Sequence, residues 1–366
     1  FRFQPGWPHF ACAAVFPNRR ISVPPRMQSA AIPAEIEKRT HYAWGLETSG
    51  ALTCWGAFGA RGAGVKVGVL DTGVEARHPD LVGKVVAFAE FGPNNAMLKA
   101  GVTHAYDDDG HGTHVCGTIA GGNASGRWIG MAPEAQLIAA KVLKNGVGSD
   151  AQILAGMAWA IQQGAHVLNL SLGGWSAGID VIDTYTNSIL QANGVGVPVV
   201  TAIGNEGSGT SGSPGTDYFS IGVGATDILD RAAGFSGGRT HVIHASPAFK
   251  QKDLPIIFIK PDLSAPGVDV YSCKRGGRWG YESGTSMAAP HVSGAFALLL
   301  SGIGANRLPP HDLRRLSNWD RVDVLQSLLL GSALELGEKG KNARFGHGRL
   351  DIAAAYSNAL NLKYLS

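Results

Sequence analysis

Val65-Lys66-Val67-Gly68-Val69-Leu70-Asp71-Thr72-Gly73 is a β-branched apolar run that stops on a carboxylate and a glycine. A short run of this kind reads as a buried strand, after which the glycine lets the chain turn at once. The pattern recurs at Leu137 to Val142, His166 to Leu170, Val197 to Ala202 and Ile221 to Ala225. Between these runs Gly112 to Ala120, Asp150 to Gln163 and Ile179 to Ala192 read as helices. Strands alternating with helices imply βαβ units, hence an α/β fold with a central, mostly parallel sheet between two helical layers. Ligands bind such sheets beyond the carboxyl ends of the strands, which is where Asp71 stands.

After Ala225 a loop-rich stretch from Asp227 to Ile259 interrupts the alternation, then Val268 to Cys273 reads as strand and Thr285 to Leu300 as helix. The tail from about Pro310 to Leu362 reads as surface helices closing the domain. Residues 1–43 are rich in Pro, Arg and aromatics without helical period, so they form an arm ahead of one domain at 44–362.

Of the 366 residues 45% are hydrophobic and 16% charged, with a net charge of +3, which gives no strong pull toward nucleic acid or a membrane surface. No apolar stretch, Ala295 to Leu300 included, is long enough to span a bilayer. The chain begins at Phe1 with no charged-then-apolar leader and is read as processed or truncated. Cys12, Cys54, Cys116 and Cys273 show neither a CxxC pair nor metal-ligand spacing, which argues against a zinc site and leaves room for one or two disulfides.

Three segments carry residue types suited to chemistry, and each alone has an ordinary explanation. Asp71 could cap the turn after its strand, and Ser286 in Gly284-Thr285-Ser286-Met287-Ala288-Ala289-Pro290-His291 could cap a helix. His111 and His114, in Asp109-Gly110-His111-Gly112-Thr113-His114-Val115, could be metal ligands, but no glutamate lies between them as in a zinc-protease helix. Capping does not explain Pro290, which costs a helix interior roughly 3 kcal/mol. Together the three supply what acyl transfer needs: a nucleophile, a base to take its proton, and a carboxylate to fix the base's tautomer.

Val69-Leu70-Asp71-Thr72-Gly73-Val74, His111-Gly112-Thr113-His114-Val115 and Gly284-Thr285-Ser286-Met287-Ala288-Ala289-Pro290 resemble the three signature segments of the subtilase family. The likeness runs from about Trp44 to Ala355 and takes in Lys260-Pro261-Asp262-Leu263-Ser264-Ala265-Pro266-Gly267 and Gly346-His347-Gly348-Arg349-Leu350-Asp351. It implies a serine endopeptidase acting on proteins or peptides, with Ser286 as nucleophile, His111 as general base and Asp71 orienting the base. By the same resemblance Asn205, in Gly204-Asn205-Glu206-Gly207, holds the oxyanion together with the Ser286 N–H.

Ser171-Leu172-Gly173-Gly174 and Asn145-Gly146-Val147-Gly148 resemble the two edges between which a substrate adds as a strand. The main pocket is then floored near Ile203-Gly204 and Gly212. A missing side chain at Gly212 suggests a preference for large apolar or aromatic residues before the cut. Asp108 and Asp109 read as a solvated turn, with a bias toward basic substrate side chains as the alternative.

The family likeness also raises a structural calcium ion, with Asp80 and the loop Gly122 to Trp128 as its site. Here Ala124 stands where the usual side-chain ligand would be, with Asn123 just before it. Ala14-Val15-Phe16-Pro17-Asn18 resembles the last strand of an inhibitory propeptide, although too few residues precede it to make that whole domain. The stretch from Ala232 to Ile259, with His241 and His244, reads as a surface insertion without an assigned role. By family a secreted monomer is expected, although intracellular subtilases exist.

Three rival readings fare worse. A pseudo-protease would have lost a residue of the triad, and none is lost. A dinucleotide-binding enzyme is suggested by Gly62-Ala63-Gly64, but that run precedes its strand and lacks the third glycine. A metal hydrolase built on Asp71, His111 and His114 would be inhibited by chelators and would show no serine labelling.

Overall fold

The computed structural model describes residues 16–25, 27, 41–176, 178–181, 184–302 and 316–365. Its strands begin with β1 (Arg20–Ser22), β2 (Lys66–Asp71), β3 (Val85–Phe91), β4 (Met97–Ala100), β5 (Gln136–Lys141), β6 (Val147–Ser149), β7 (Val167–Leu170) and β8 (Gly174–Ser176). They continue with β9 (Val199–Ala202), β10 (Ser211–Ser213), β11 (Ile221–Thr226), β12 (Arg239–Ile243), β13 (Ile256–Lys260), β14 (Leu263–Pro266), β15 (Val270–Lys274) and β16 (Arg278–Glu282). The helices are α1 (Trp44–Thr48), α2 (Ala51–Ala57), α3 (His111–Ala120), α4 (Asp150–Gln162), α5 (Thr186–Gly194), α6 (Thr285–Ser301), α7 (Asn318–Gly331) and α8 (Ile352–Asn361).

Eight strands form the central sheet in the order β14-β11-β9-β7-β2-β5-β3-β4. All its pairings are parallel except that of the edge strand β4 with β3. A parallel sheet must be covered on both faces, and alternation along β2 does this. Val67 and Val69 point into a core with Val115 and Ile119 of α3 and Met287 and Val292 of α6. Leu70 points the other way, into a core with Ile153 and Met157 of α4 and Ile189 of α5. The result is the expected three-layer α/β/α arrangement, with α6 buried from Thr285 through Leu299.

Several elements differ from the sequence expectation. Ile179 to Ala192 is not one helix, because α5 starts only at Thr186, and Asp180 instead bridges to Val242. The stretch from 227 to 259 is not simply loop, since β12 and β13 pair from Arg239 with Lys260 to Ile243 with Ile256. On that hairpin His241 is buried while exposed His244 lies 3.4 Å from Asp180. Cys54, Cys116 and Cys273 are buried free thiols, so no disulfide joins them, and Cys12 lies outside the described residues. The tail supplies α7 and α8, with 303–315 likewise outside the described residues. Among the described residues no helix is long and apolar enough to cross a membrane.

Candidate active site

Two glycines bring the ends of β2 and α3 together. Gly73 has φ +113°, and a Cβ there would lie 2.0 Å from the Tyr106 carbonyl oxygen. A Cβ on Gly112 would lie 2.2 Å from the Gly73 carbonyl and 3.1 Å from the Asp71 side chain. Only bare backbone allows this approach, and it places His111 Nδ1 2.8 Å from Asp71 Oδ1. Donation by Nδ1–H to the carboxylate leaves Nε2 as the bare acceptor. Asp71 Oδ1 also accepts the Thr72 N–H at 2.7 Å.

Asp107 holds the start of α3 and was not singled out in the sequence. Its Oδ1 accepts Thr72 Oγ1 and Gly110 N at 2.8 Å, and its Oδ2 accepts Thr113 N and Oγ1 at 2.8 and 2.7 Å. Burial works against its charge, yet the donors from Thr113, Gly110 and Thr72 outweigh burial and keep the carboxyl below the usual range. A carboxylate capping a helix start is the readable signal for this residue. Asp108 is no solvated turn residue either, because its Oδ1 accepts the buried Lys141 Nζ at 2.8 Å and Asn145 N at 3.0 Å. His114 donates from Nε2 to the Val270 carbonyl at 3.0 Å, and burial depresses its pKa to about 4.

Ser286 occupies the first turn of α6, and Pro290 bears on it directly. An α-helix would pair the N–H of residue 290 with the carbonyl of Ser286, and proline has no N–H. The freed carbonyl is taken by Ser171 Oγ at 2.9 Å, while Ser286 Oγ donates to the Ser171 carbonyl at 3.1 Å. Behind them Asn169 Nδ2 donates to Ser171 Oγ at 3.0 Å and Ser293 Oγ to Asn169 Oδ1 at 2.8 Å. Asn169 and Ser293 were missed in the sequence; a lone amide inside the run Val167 to Leu170 is the signal, since buried polar groups need partners.

Asn205 follows β9. Its Oδ1 accepts Thr285 N at 2.9 Å and Thr285 Oγ1 at 2.8 Å, which fixes the amide and points Nδ2 outward. That Nδ2 donates to the Pro25 carbonyl at 3.1 Å. Residues 20–25 of the N-terminal arm thus lie in the cleft. β1 pairs antiparallel with β6, Ile21 opposite Gly148. Val23 N–H donates to the Gly146 carbonyl at 2.9 Å, and Ser22 exchanges two bonds with Gly173, at 3.3 and 3.1 Å. Pro24 is buried and lines a pocket with Leu172, Gly173, Trp175, Ala202, Gly204, Glu206 and Gly212. The two edges and the pocket expected from sequence therefore surround one extended segment. Of the propeptide-like run, Ala14 and Val15 lie outside the described residues, and the segment in the cleft is the one just after it.

The resemblance to calcium-binding subtilases directs attention to Asp80. Asp80 Oδ1 accepts the Ala124 N–H at 2.7 Å and Oδ2 the Trp279 indole N–H at 2.6 Å. Asn123 is exposed. Both carboxylate oxygens thus already accept an N–H donor, whose positive end opposes a cation. His78 and Cys273 lie close enough to Asp80 to share a metal. However, His78 accepts the Asp80 N–H at Nδ1 and meets the Arg278 carbonyl through Nε2 at 2.7 Å. Burial also pushes the Cys273 thiol well up, away from the thiolate a metal requires.

At His111 burial disfavours the charged ring, but the Asp71 carboxylate outweighs burial and raises the pKa above 6.5. An imidazole that takes a proton must be neutral, so kcat/KM falls as pH drops through that raised value. We expect the acidic limb of the pH–rate profile above pH 6.5. A limb at or below that value, measured on a small peptide substrate, contradicts the electrostatics.

A groove that pairs an extended peptide by its main chain, beside a helix-borne serine and a carboxylate-held imidazole, is the equipment of a serine peptidase. Residues 62–348 match the sequence model of the subtilase family. Subtilisin Savinase of Lederbergia lenta is 40% identical over 298 residues, 81% of this chain and 92% of that protein. Subtilisin DY of Bacillus licheniformis is 38% identical over 250 residues, 67% of this chain and 80% of that protein. The major intracellular serine protease of Bacillus subtilis is 34% identical over 264 residues, 70% of this chain and 74% of that protein. The chain belongs to the subtilase family and is a serine endopeptidase of proteins or peptides.

Proposed function

We propose that Ser286 attacks the scissile carbonyl, that His111 takes its proton through Nε2, and that Asp71 holds the imidazole and stabilises it once charged. Asn205 Nδ2 and the Ser286 N–H then receive the developing oxyanion. The 2.8 Å bond between His111 and Asp71 and the outward amide of Asn205 support these roles. With the arm in place Ser286 Oγ donates to the Ser171 carbonyl, so the hydroxyl must turn toward His111 before attack.

The arm itself acts as an internal inhibitor, and the observation that carries this reading is the Pro25 carbonyl on the Asn205 amide. It binds as a substrate would but out of register. The pocket holds Pro24, whereas the carbonyl at Asn205 belongs to the next residue. In a productive complex the residue in the pocket would present its own carbonyl there. Ile21 anchors the arm, being fully buried among Leu70, Leu143 and Tyr185. Burying such a side chain is worth about 1.5–3 kcal/mol, so Ile21→Asp should raise peptidase activity on the order of ten- to a hundredfold. Unchanged activity in that variant, with its fold intact by circular dichroism, contradicts internal inhibition.

The pocket around Pro24 is lined by Leu172, Trp175, Ala202, glycines and the exposed Glu206, and its apolar walls support a preference for large apolar or aromatic residues before the cut. A peptide-library profile dominated by Arg or Lys at that position rejects it.

The loop from 122 to 128 is closed by protein donors in place of calcium. A chelator should leave the melting temperature unchanged. Trp279→Phe leaves one oxygen of a buried carboxylate unpaired and should cost about 1–3 kcal/mol. Marked destabilisation of the wild-type chain by chelator, reversed by calcium, contradicts this.

A further inference from the structure

We infer that Asp150, with Tyr185 and Ser213, forms a guanidinium-binding subsite at the far end of the cleft, selecting substrates with arginine five residues ahead of the pocket residue. The inference rests on reading the arm as a substrate-like occupant.

In the arm that position is Arg19, five residues before Pro24. Its Nε donates to Asp150 Oδ2 at 2.9 Å and its Nη2 to Asp150 Oδ1 at 3.1 Å, a two-pronged fork on one carboxylate. Nη2 also donates to Ser213 Oγ at 3.2 Å, and Tyr185 OH donates to Asp150 Oδ1 at 2.6 Å. The Asp150 side chain is 3% exposed and that of Arg19 21%, so the acceptor is set into the body and the cation arrives from outside.

The backbone adds to this. Arg19 N–H donates to Asp150 Oδ2 at 2.9 Å, and the Arg19 carbonyl accepts Asp150 N–H at 3.1 Å. Asn18 Oδ1 accepts Ala151 N–H at 3.0 Å. These are N–H groups of the first turn of α4, a helix whose own N-cap, Ser149, makes no side-chain capping bond. Without the arm, Asp150 keeps a carboxylate facing the groove, partnered by the Tyr185 hydroxyl and lacking its cation. An incoming peptide restores the set only with a residue that carries both a fork of N–H donors and a fixed charge. Arginine has them, whereas lysine offers a point charge that cannot span both oxygens.

The test uses the full chain with Arg19→Ala, which frees the subsite. Three peptides of one sequence, cut at one bond confirmed by mass spectrometry, carry Arg, Lys or Ala five residues ahead of the pocket residue. We expect kcat/KM to favour Arg over Ala at least tenfold, with the difference in KM, and Lys to fall well short of Arg. Adding Asp150→Asn should collapse the Arg-to-Ala ratio to near one. A ratio of one in Arg19→Ala overturns the subsite, and that readout stands even if the Asp150 variant fails to fold. Failure of the arm reading looks different. Arg19→Ala would then show no rise in activity over wild type, whatever the ratio among the peptides.

Discussion

Ser286→Ala is expected to lower kcat by about 10⁶-fold while leaving KM little changed, the size recorded when the triad of subtilisin itself is broken. Loss of Oγ removes the nucleophile and one bond to the Ser171 carbonyl. The Ser286 carbonyl keeps the Ser171 hydroxyl, and the Asp71–His111 pair is untouched. The fold should therefore stand, and only covalent chemistry should vanish. Steady-state kinetics with an apolar-residue peptide checks this, and residual activity within about 10²-fold of wild type would be incompatible with an acyl-enzyme on Ser286.

Asn205→Asp should lower kcat by about 10²–10³-fold, the range the corresponding amide of subtilisin gives when removed. Aspartate keeps an oxygen for Thr285 N and Thr285 Oγ1, so the turn after β9 stays in place. The atom that changes is Nδ2, which becomes a carboxylate oxygen opposite a developing negative charge. A donor serving only the transition state leaves KM alone when lost. A variant that loses affinity but keeps kcat would make Asn205 a substrate-binding residue instead. The same substitution removes the donor to the Pro25 carbonyl, so the arm should also be held less firmly.

The segments proposed to carry the chemistry stand out in the sequence because they obey local rules and break them in informative places. β2 stops on Asp71, α3 starts at His111 between glycines, and α6 carries a proline four residues after Ser286. The reason for that proline needed the structure, since the freed carbonyl meets Ser171, 115 residues away in the chain. Non-local pairing hid the rest. β4 is exposed at every residue and forms only because β3 offers an edge, so no apolar pattern marks it. The arm reads as irregular because β1 is just Arg20–Ser22, and it becomes a strand only against β6 and Gly173. Trp279 lies 199 residues from Asp80, and motif comparison at the loop 122–128 has no access to a donor so remote. The helical pattern over Ile179 to Ala192 fails for a related reason. Its first part pairs with the β12–β13 hairpin, which pulls Asp180 to Val242 and delays the helix to Thr186.

The central claim is that Ser286 is the nucleophile, and a serine-directed sulfonyl fluoride tests it most directly. Labelling is run on the wild-type chain and on Ile21→Asp, in which the arm is loosened, followed by digestion and mass spectrometry. The account predicts a single adduct on Ser286, formed faster in Ile21→Asp, with activity lost in proportion to labelling. Inactivation with the adduct on another residue, or full activity with Ser286 labelled, would contradict it.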